Sequence, residues 1–381
     1  MKFFINSYFG DNQSIGLLSH IKKRLPYGMD DQWMVFSHYT ERGWTVDNLW
    51  HIFTDFYGGQ YVPLAFLSYL VLYAGFGYDP FYFHMFSLLL HIGCVCLVWK
   101  LISSLLRVHG GVSEKQILYV NFITTLLFAV HPINVEAVAW ISALKVLLYA
   151  FFYLLGLLCY LRYIRTSKIF YYVLTIGCFL CSFWGKEQAV TFPLALLIVD
   201  WFTNRNMKNL EVWSEKMSFL IMAFFFGIIT VLSQGKGPYE MIFPLYQRLL
   251  FGCFALVEYI TKSLLPVNLN FFYPFPIVLG EEPPLHYYLY PVVLLFLMGW
   301  IIAYRNNRYL VFGVLLFLVN LLFSIHLFNM SRHAIVADRY MYLSYVGIAF
   351  LIANGIWWLR KRLSYFKAAL VFLFFYCFFL S

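Results

Sequence analysis

Long apolar runs joined by short polar connections make up most of the chain after residue 80. A transmembrane helix needs about 20 apolar residues to cross a hydrocarbon core about 30 Å thick. The pattern predicts ten such helices, at about 81 to 106, 117 to 131, 142 to 164, 169 to 184, 188 to 202, 217 to 233, 286 to 303, 309 to 327, 340 to 359 and 365 to 380. We therefore predict an all-α polytopic membrane protein whose multi-span domain covers residues 81–381.

The first eighty residues contain no run of this length. Their start, MKFFINSYFGDNQS, is neither long nor apolar enough for a signal peptide or a membrane anchor. We predict that residues 1–80 form an extracytoplasmic or interfacial first-loop region. Within it, VPLAFLSYLVLYAGFG at residues 62–77 has the length of a re-entrant or surface-lying amphipathic helix, and we interpret it as interfacial.

The composition excludes a soluble domain, because 62% of the 381 residues are hydrophobic, 22% are aromatic and only 12% are charged. The chain has no G-x-x-x-x-G-K-[ST] loop and no G-x-G-x-x-G after a strand, so we predict no nucleotide-binding domain. Cys178 and Cys181 form a C-x-x-C inside a predicted span, where packing roles are typical. His84, His91 and His131 lack the close spacing of zinc ligands.

Basic residues indicate the orientation, because Lys and Arg favour cytoplasmic loops. Five connections, within residues 100–115, 162–168, 200–216, 305–308 and 360–367, carry fifteen basic and four acidic residues, a net charge of +11. The rest of the chain carries twelve basic and fourteen acidic residues, a net charge of −2, and the two sides together give the overall +9. The basic excess therefore predicts a cytoplasmic membrane face, and we expect no nucleic-acid partner.

Polar segments of unusual composition fall on the opposite, extracytoplasmic side. They are GMDDQWMVF from Gly28, HPINVEAVAW from His131, WGKEQ from Trp184, residues 234–285 with NFFYPF, and SRHAIVADRY from Ser331. A charged residue at the bilayer centre costs about 2.5 to 3.5 kcal/mol, so we expect these charges at the rim or around a wet cavity. For each segment alone, a simple turn or a side chain that reaches the headgroups is the alternative.

Four segments, in the same order, resemble the transmembrane and tetratricopeptide-repeat O-mannosyltransferases (the TMTC family) and their bacterial relatives. They are HPINVEAVAWIS from His131, GKEQAVTFPLALLIVD from Gly185, LLPVNLNFFYPFP from Leu264 and ADRYMYL from Ala337. Asp30 and Asp31 match the paired acidic residues of that family's first extracytoplasmic loop. The resemblance implies a GT-C glycosyltransferase-like helical bundle that takes a sugar from a polyprenyl-phosphate carrier on the extracytoplasmic side.

The chain also departs from that family. The family has a membrane helix before the acidic pair, and none is evident here. Its tetratricopeptide tail is not seen either, so we expect a bacterial-type relative that lacks the repeats. After HPINVEAVAWIS the family's G-R-x-D is replaced by Ala143, Leu144, Lys145 and Val146, and Ser344 replaces the proline after YL.

The implied reaction needs a general base, because a hydroxyl group is a poor nucleophile at neutral pH. Asp30 or Asp31 fits this role, and we favour Asp30. The other carboxylate is then expected to orient the loop or to bind a divalent metal ion; no other cofactor is predicted. The alternative is an acidic turn beside Gly28 with no catalytic role.

The implied leaving group is a lipid phosphate, which needs positive partners in a poorly solvated place. We expect Arg339 first, because a guanidinium fork suits phosphate, then Lys186 as a point charge, followed by His333 and Arg332. The other expected substrate contacts are acidic residues that hold the cations or the sugar, aromatic residues that stack on a sugar ring, and one histidine: His131, Glu136, Trp140, Glu187, Tyr273 and Asp338. Membrane-belt or core positions are the alternative for each aromatic residue.

Our leading hypothesis is a GT-C enzyme that transfers a hexose such as mannose from a polyprenyl-phosphate carrier to an extracytoplasmic protein or glycan. We expect it in a bacterial inner membrane among membrane lipids, with its active face in the periplasm. The alternative is a non-catalytic scaffold or lipid-handling subunit that retains the fold, which the missing Arg and Asp allow. A transporter would need mid-helix charges and inverted repeats, and neither is evident. A catalytic protein should bring Asp30, Lys186 and Arg339 to one cavity.

Overall fold

The protein is described here by a computed structural model that covers residues 31–234, 243–270, 272–327 and 334–360. The predicted span at 365 to 380 lies outside these ranges. Within them the helices are α1 (Asp31–Met34), α2 (His38–Glu41), α3 (Val46–Thr54), α4 (Pro63–Phe76), α5 (Pro80–His109), α6 (Glu114–Val130), α7 (Val135–Ala139), α8 (Leu144–Thr166), α9 (Ile169–Gly185), α10 (Phe192–Phe202), α11 (Leu210–Gln234), α12 (Leu245–Leu264), α13 (Tyr290–Ala303), α14 (Arg308–Leu321) and α15 (Met341–Leu359). The predicted all-α class is confirmed.

Five helical segments are long and apolar enough to cross a membrane, and a sixth is obtained if a bent pair counts as one span. They are Pro80–His109, Ile141–Thr166, Leu210–Gln234, Leu285–Ala303 and Asp338–Leu359, with the bent pair Glu114–Val130 and Pro132–Ala139. Each corresponds to a predicted span, so the protein is a multi-pass integral membrane protein. The predicted number of ten spans is not confirmed.

Three further predicted spans form helices that are shorter than a full membrane span. Helix α9 keeps its predicted extent, whereas α14 ends at Leu321, six residues before the predicted boundary. The predicted span at 188–202 begins with the 3-10 turn Glu187–Thr191, and the α-helix α10 that follows has 11 residues. A proline in the first turn of α10 favours a new helix start at this point.

Short polar sequences begin the long helices. Asp79 accepts a hydrogen bond from the backbone N–H of Phe81 at the start of α5, and Ser113 accepts one from Gln116 at the start of α6. Asn307 caps α14 in the same way. These side chains satisfy backbone donors that have no partner inside the helix. The connections that the sequence marks as polar are therefore where helices begin.

Helix α4, predicted to be interfacial, has 14 residues and a length of roughly 21 Å, too short to cross a bilayer. The Tyr69 hydroxyl, midway along it, donates a hydrogen bond to the Ile141 carbonyl at 3.0 Å, and Tyr78 beyond its end contacts the ring of Phe36. The helix therefore lies at one end of the bundle. Apolar residues occur on all faces of this helix, so it is not amphipathic, and its interfacial position stays a prediction.

The buried apolar residues form two clusters. The larger one fills the bundle between α5 and α15. The smaller one combines residues of the first-loop region, such as Met34, Tyr39 and Phe66, with Ile141 and Leu148 at the start of α8. Residues 31–76 thus have their own small core, which is completed by residues from the membrane helices.

A buried ion cluster lies at the other end of the bundle. The Lys216 Nζ is 2.5 Å from a carboxylate oxygen of Asp200, and both side chains are fully buried. The Arg205 guanidinium donates two hydrogen bonds to Glu215, at 2.6 and 2.9 Å, and the Tyr160 hydroxyl donates to Asp200 at 2.8 Å. The four charged residues of the cluster belong to the predicted cytoplasmic connection at residues 200–216. Because the two positive and two negative charges cancel, the predicted charge difference between the two faces is unaffected.

Candidate active site

A sharp bend after α6 forms the centre of the candidate site. His131 ends α6, and its Nδ1 accepts a hydrogen bond from the backbone N–H of Ile133 at 3.2 Å. Pro132, which has no N–H to lose, then starts a 3-10 turn, and the chain bends by 51°. The His131 ring is buried against the ring of Tyr345, at a centroid distance of 4.3 Å. His131 therefore shapes the loop, and its predicted substrate contact stays a prediction.

The bend places Glu136 beside Arg339, 203 residues away in the chain. One Glu136 carboxylate oxygen accepts a hydrogen bond from the Arg339 backbone N–H at 2.6 Å, and the other accepts from the guanidinium Nη1 at 2.5 Å. The Trp140 ring lies 4.9 Å from the guanidinium carbon. Charge-assisted hydrogen bonds and a cation–π contact therefore orient this guanidinium.

Lys186 contacts the same aromatic ring as Arg339. Its Nζ is 4.6 Å from the ring centroid of Tyr340, and the Arg339 guanidinium carbon is 5.2 Å from the same centroid. The two cations are thus within roughly 10 Å of each other. Gly185 makes this placement possible, because a Cβ at that position would lie 2.7 Å from the backbone nitrogen of Tyr149.

Asp338 and Tyr273 brace the segment that carries Arg339. Tyr273 pairs with Val336 in a short antiparallel sheet, and its hydroxyl donates a hydrogen bond to the Asp338 carboxylate at 3.0 Å. The Lys262 Nζ donates to the same hydroxyl at 3.0 Å. Burial and the adjacent carboxylate raise the pKa of Tyr273, so the phenol stays protonated and keeps donating. These contacts hold the Tyr273 hydroxyl, and the predicted stacking of its ring on a sugar stays a prediction.

Asp31 is anchored to the segment that follows Trp140. Its Oδ1 accepts a hydrogen bond from the backbone N–H of Ser142 at 3.0 Å and another from the Ser142 hydroxyl. The side chain is 5% exposed. Because Ser142 is only two residues after Trp140, their Cα atoms are at most about 7 Å apart. Asp31 and Arg339 therefore contact residues two positions apart in one short segment, Ser142 and Trp140 respectively.

A tight turn brings a further pair of polar residues to the same end. Tyr57 and Gln60 are hydrogen-bonded to each other across Gly58 and Gly59, which have φ angles of +58° and +72°. Glycine suits such angles. The Gln60 Oε1 accepts a hydrogen bond from the buried Lys145 Nζ at 2.7 Å. Lys145 thereby links the turn to α8, one helical turn beyond Ser142.

The described part of the chain therefore brings together most of the predicted site: Asp31, Glu136, Trp140, Lys186, Glu187, Tyr273, Asp338 and Arg339. Glu187 follows Lys186 and lines a cleft beside Gln60. Asp30, Arg332 and His333 lie outside the described residues. Within the described residues no group of three His, Cys, Asp or Glu side chains is arranged to hold a metal ion. The divalent ion expected at Asp30 and Asp31 stays a prediction.

Two basic residues of this region were not predicted as site residues. Lys145 is 6% exposed and Lys262 is 3% exposed, and both lie on apolar helices. A lysine in the first turn of a predicted span is unusual, because a charge inside a membrane segment is costly. Lys145 carries this signal in the sequence, at the position where the chain departs from G-R-x-D.

The fold and the site define a multi-pass, all-α membrane protein with a charged, aromatic-lined site at one end of its helices. Comparison with known proteins narrows this class. The chain is 32% identical over 189 residues to "Protein O-mannosyl-transferase TMTC2" of Mus musculus and 33% identical over 189 residues to the Homo sapiens protein of that name, in each case over 45% of this chain. It is 28% identical over 172 residues to "Protein O-mannosyl-transferase Tmtc3" of Drosophila melanogaster.

The chain is thus TMTC-like and related to the O-mannosyltransferases that carry these names. The matched part is 45% of this chain but only 21% of the mouse protein, so the chain spans about a fifth of the length of that relative. No protein-family model and no solved structure matches the chain.

Proposed function

We propose that the protein is a GT-C-type glycosyltransferase. It transfers a hexose, such as mannose, from a polyprenyl-phosphate carrier to a hydroxyl group of an extracytoplasmic protein or glycan. One observation carries this proposal: Arg339 and Lys186 contact the same aromatic ring, and the segment that contacts Arg339 at Trp140 also binds the Asp31 carboxylate at Ser142. The names of the relatives support mannose as the sugar and a protein as the acceptor.

The two cations suit the leaving group of such a reaction. When the bond from the anomeric carbon to the phosphate oxygen breaks, the electron pair stays on the polyprenyl phosphate, which gains negative charge. Preorganised positive groups in a poorly solvated place stabilise that charge. The Glu136 carboxylate, 6% exposed, holds the Arg339 guanidinium in one orientation before the substrate arrives.

The acidic pair suits the acceptor side. The acceptor oxygen forms the new bond to the anomeric carbon, and its proton passes to a carboxylate. Because Ser142 occupies one oxygen of Asp31 with two hydrogen bonds, we assign Asp31 to anchoring the loop and Asp30 to accepting the proton. A divalent ion at this pair remains part of the proposal, and turnover before and after chelation tests it.

A non-catalytic, lipid-handling protein is the second candidate. It is favoured by Leu144 and Val146, which replace the Arg and Asp of the resembling family and are each 1% exposed. Buried apolar side chains at these positions pack in the core and cannot contact a donor. This candidate predicts binding of the lipid-linked sugar without its transfer.

The test uses purified protein in lipid nanodiscs with radiolabelled polyprenyl-phosphate mannose and measures how much label leaves the lipid. A charged hydrogen bond contributes about 1.5 to 3 kcal/mol, so Arg339→Ala should slow transfer by roughly 10- to 150-fold. Arg339→Lys keeps the positive charge but loses the guanidinium fork, so its transfer rate should lie between those of the unmodified protein and Arg339→Ala.

Arg308→Ala is the matched control, because Arg308 also lies over an aromatic ring, that of Trp201 at 5.0 Å, but in a connection at the other end of the bundle. Equal transfer by Arg339→Ala and Arg308→Ala would contradict the phosphate role. Binding of the labelled lipid by the unmodified protein without any release of label would favour the second candidate.

A further inference from the structure

Lys262 of α12 is a buried cation to which the proposed reaction gives no role. Its side chain is 3% exposed, and a lysine is seldom buried so completely unless it is paired. The Nζ donates hydrogen bonds to the Asn268 carbonyl at 3.1 Å and to the Tyr273 hydroxyl at 3.0 Å, and it lies 3.5 Å from a carboxylate oxygen of Glu258. Because an ammonium group is costly to bury, these neighbours show which charge it balances.

The Tyr273 hydroxyl connects Lys262 to Asp338. An ammonium group can only donate, so the hydroxyl oxygen accepts from the Lys262 Nζ, and its own hydrogen goes to the Asp338 carboxylate at 3.0 Å. The backbone N–H of Asn270 donates to the same oxygen. Two successive contacts of 3.0 Å place the ammonium nitrogen within about 6 Å of the Asp338 carboxylate oxygen. Lys262 is therefore close enough to offset the charge of Asp338.

Asp338 adds a second carboxylate next to Arg339. It precedes Arg339 in one 3-10 turn and is 3% exposed, while the Glu136 carboxylate accepts two hydrogen bonds from Arg339. Without compensation, two buried carboxylates outweigh one guanidinium, and the resulting negative charge repels an anionic ligand. Lys262 restores the balance between the two signs. Its other acidic neighbour, Glu258, is 33% exposed, so water screens that charge.

We infer that Lys262 is a positioning residue that acts by its charge: through Tyr273 it balances Asp338. The positive charges of Arg339 and Lys186 then remain available to an anionic ligand. This inference rests on the proposed glycosyl transfer and adds to it a dependence on ligand charge. The lipid-linked sugar is a phosphodiester with one negative charge, whereas the lipid phosphate that leaves is a monoester with close to two at pH 8. The leaving lipid phosphate should therefore depend on Lys262 more strongly than the donor does.

The size of the effect follows from Coulomb's law. At an effective dielectric constant of about 20 and a separation of about 10 Å, loss of one unit charge weakens binding of a singly charged ligand on the order of 10-fold and of a doubly charged ligand on the order of 100-fold. A lysine that only supports the local structure would weaken both ligands by the same factor when it is replaced. The ratio of the two affinities, monoester to diester, therefore separates an effect of charge from an effect of structure.

The test is calorimetric titration of the full chain in nanodiscs at pH 8 with two probes, farnesyl phosphate and the phosphodiester that joins farnesol to mannose. Lys262→Met should lower the monoester-to-diester affinity ratio about tenfold. Lys262→Arg keeps the positive charge and should keep the ratio. Adding Asp338→Asn to Lys262→Met removes one charge of each sign, so the ratio should return at least to that of the unmodified protein.

Asp338→Asn alone gives a prediction of the opposite sign. It removes a carboxylate and leaves Lys262 in place, so the monoester-to-diester ratio should rise about tenfold. Loss of a structural contact gives no such rise. This variant decides the question if Lys262→Met does not fold, and circular dichroism shows which variants are folded.

Lys216 provides a matched control at the other end of the bundle. Its buried Nζ donates to the Tyr160 hydroxyl, which donates to Asp200 at 2.8 Å, so lysine, tyrosine and aspartate are connected in the same order. The Nζ of Lys216 is 4.7 Å from the centroid of its tyrosine ring, and that of Lys262 is 4.5 Å from its own. Lys216→Met should lower stability but leave the monoester-to-diester ratio unchanged.

Three results would overturn the inference: a ratio that does not respond to Lys262→Met or to Asp338→Asn, an equal change of the ratio in Lys216→Met, or no binding of either probe by the unmodified protein. The transfer assay separates this inference from the proposed function. Release of label from polyprenyl-phosphate mannose together with an unresponsive ratio defeats this inference alone. A ratio that changes as expected, without any release of label, defeats the proposed transfer alone.

Discussion

The ion pair between Glu136 and Arg339 allows a quantitative test of the site's architecture. The pair joins the bend after α6 to the start of α15, and its side chains are 6% and 17% exposed. Glu136→Ala removes both acceptors and leaves the guanidinium mostly buried beside Trp140. Glu136→Ala should therefore lower the free energy of unfolding by more than the loss of one partner of an exposed ion pair would.

The magnitude follows from the geometry. Removing one partner of a buried ion pair costs about 3 to 5 kcal/mol, because the remaining charge is left without compensation. Arg339 retains some hydration, so we expect about 3 kcal/mol for Glu136→Ala. Glu136→Gln keeps one acceptor oxygen and should cost about half as much. In the double variant with Arg339→Ala, the coupling energy should be about 2 to 3 kcal/mol, within the range of contacting residues.

The assay is equilibrium unfolding in mild detergent, monitored by circular dichroism, for the two single variants and the double variant. Arg107 and Glu114 provide the control cycle, because their ion pair is 3.2 Å long but 55% and 75% exposed. Exposed pairs contribute about 0.2 to 1 kcal/mol. If the coupling energy of Glu136 and Arg339 is no larger than that of the control pair, the guanidinium is not held as described, and its preorganised role fails.

Three further predictions concern the chemistry, the buried charges and the orientation. Asp30→Asn should lower turnover about 100-fold or more, the scale of general-base loss, with unchanged thermal unfolding; normal turnover would exclude Asp30 as the base. Lys216→Met should lower the free energy of unfolding by about 3 to 5 kcal/mol, because it leaves Asp200 underpaired; a loss below about 1 kcal/mol would show that the cluster is well hydrated. In a background without native cysteines, cysteines at Val135 and Arg165 should react with a membrane-impermeant reagent from opposite sides of the membrane, and labelling of both from one side would refute the predicted orientation.

Hydropathy predicted the long spans well, since a continuous apolar run such as that of α5 or α11 has few other ways to satisfy its backbone in lipid. It did not locate the 3-10 turn before α10, whose polar residues are themselves buried. Gln188 and Thr191 lie in the 3-10 turn before α10 and are both buried, and Gln188 donates to Ser324 at 2.5 Å. A partner 136 residues away cannot be found from local pattern.

For the site, too, the sequence predicted where residues gather but not which partners they contact. The motifs around Glu136, Lys186 and Arg339 identified residues that do meet, because short polar segments between membrane helices gather at the same end of a bundle. What each residue contacts was not predictable. The Tyr273 hydroxyl donates to Asp338, and the Asp31 carboxylate is anchored by Ser142; neither contact could be found from the sequence. Such pairings depend on helix positions that a single sequence does not encode locally.

The small core of the first-loop region has a consequence for how the chain is made. Met34, Tyr39 and Phe66 leave the ribosome early, but Leu148, which helps to complete their core, comes 72 residues after the end of α4. At about 5 to 20 residues per second, that gap lasts roughly 4 to 14 s. During synthesis this small core stays incomplete until α8 has been inserted into the membrane. Its assembly therefore depends on the timing of helix insertion and on protection of its exposed apolar residues until then.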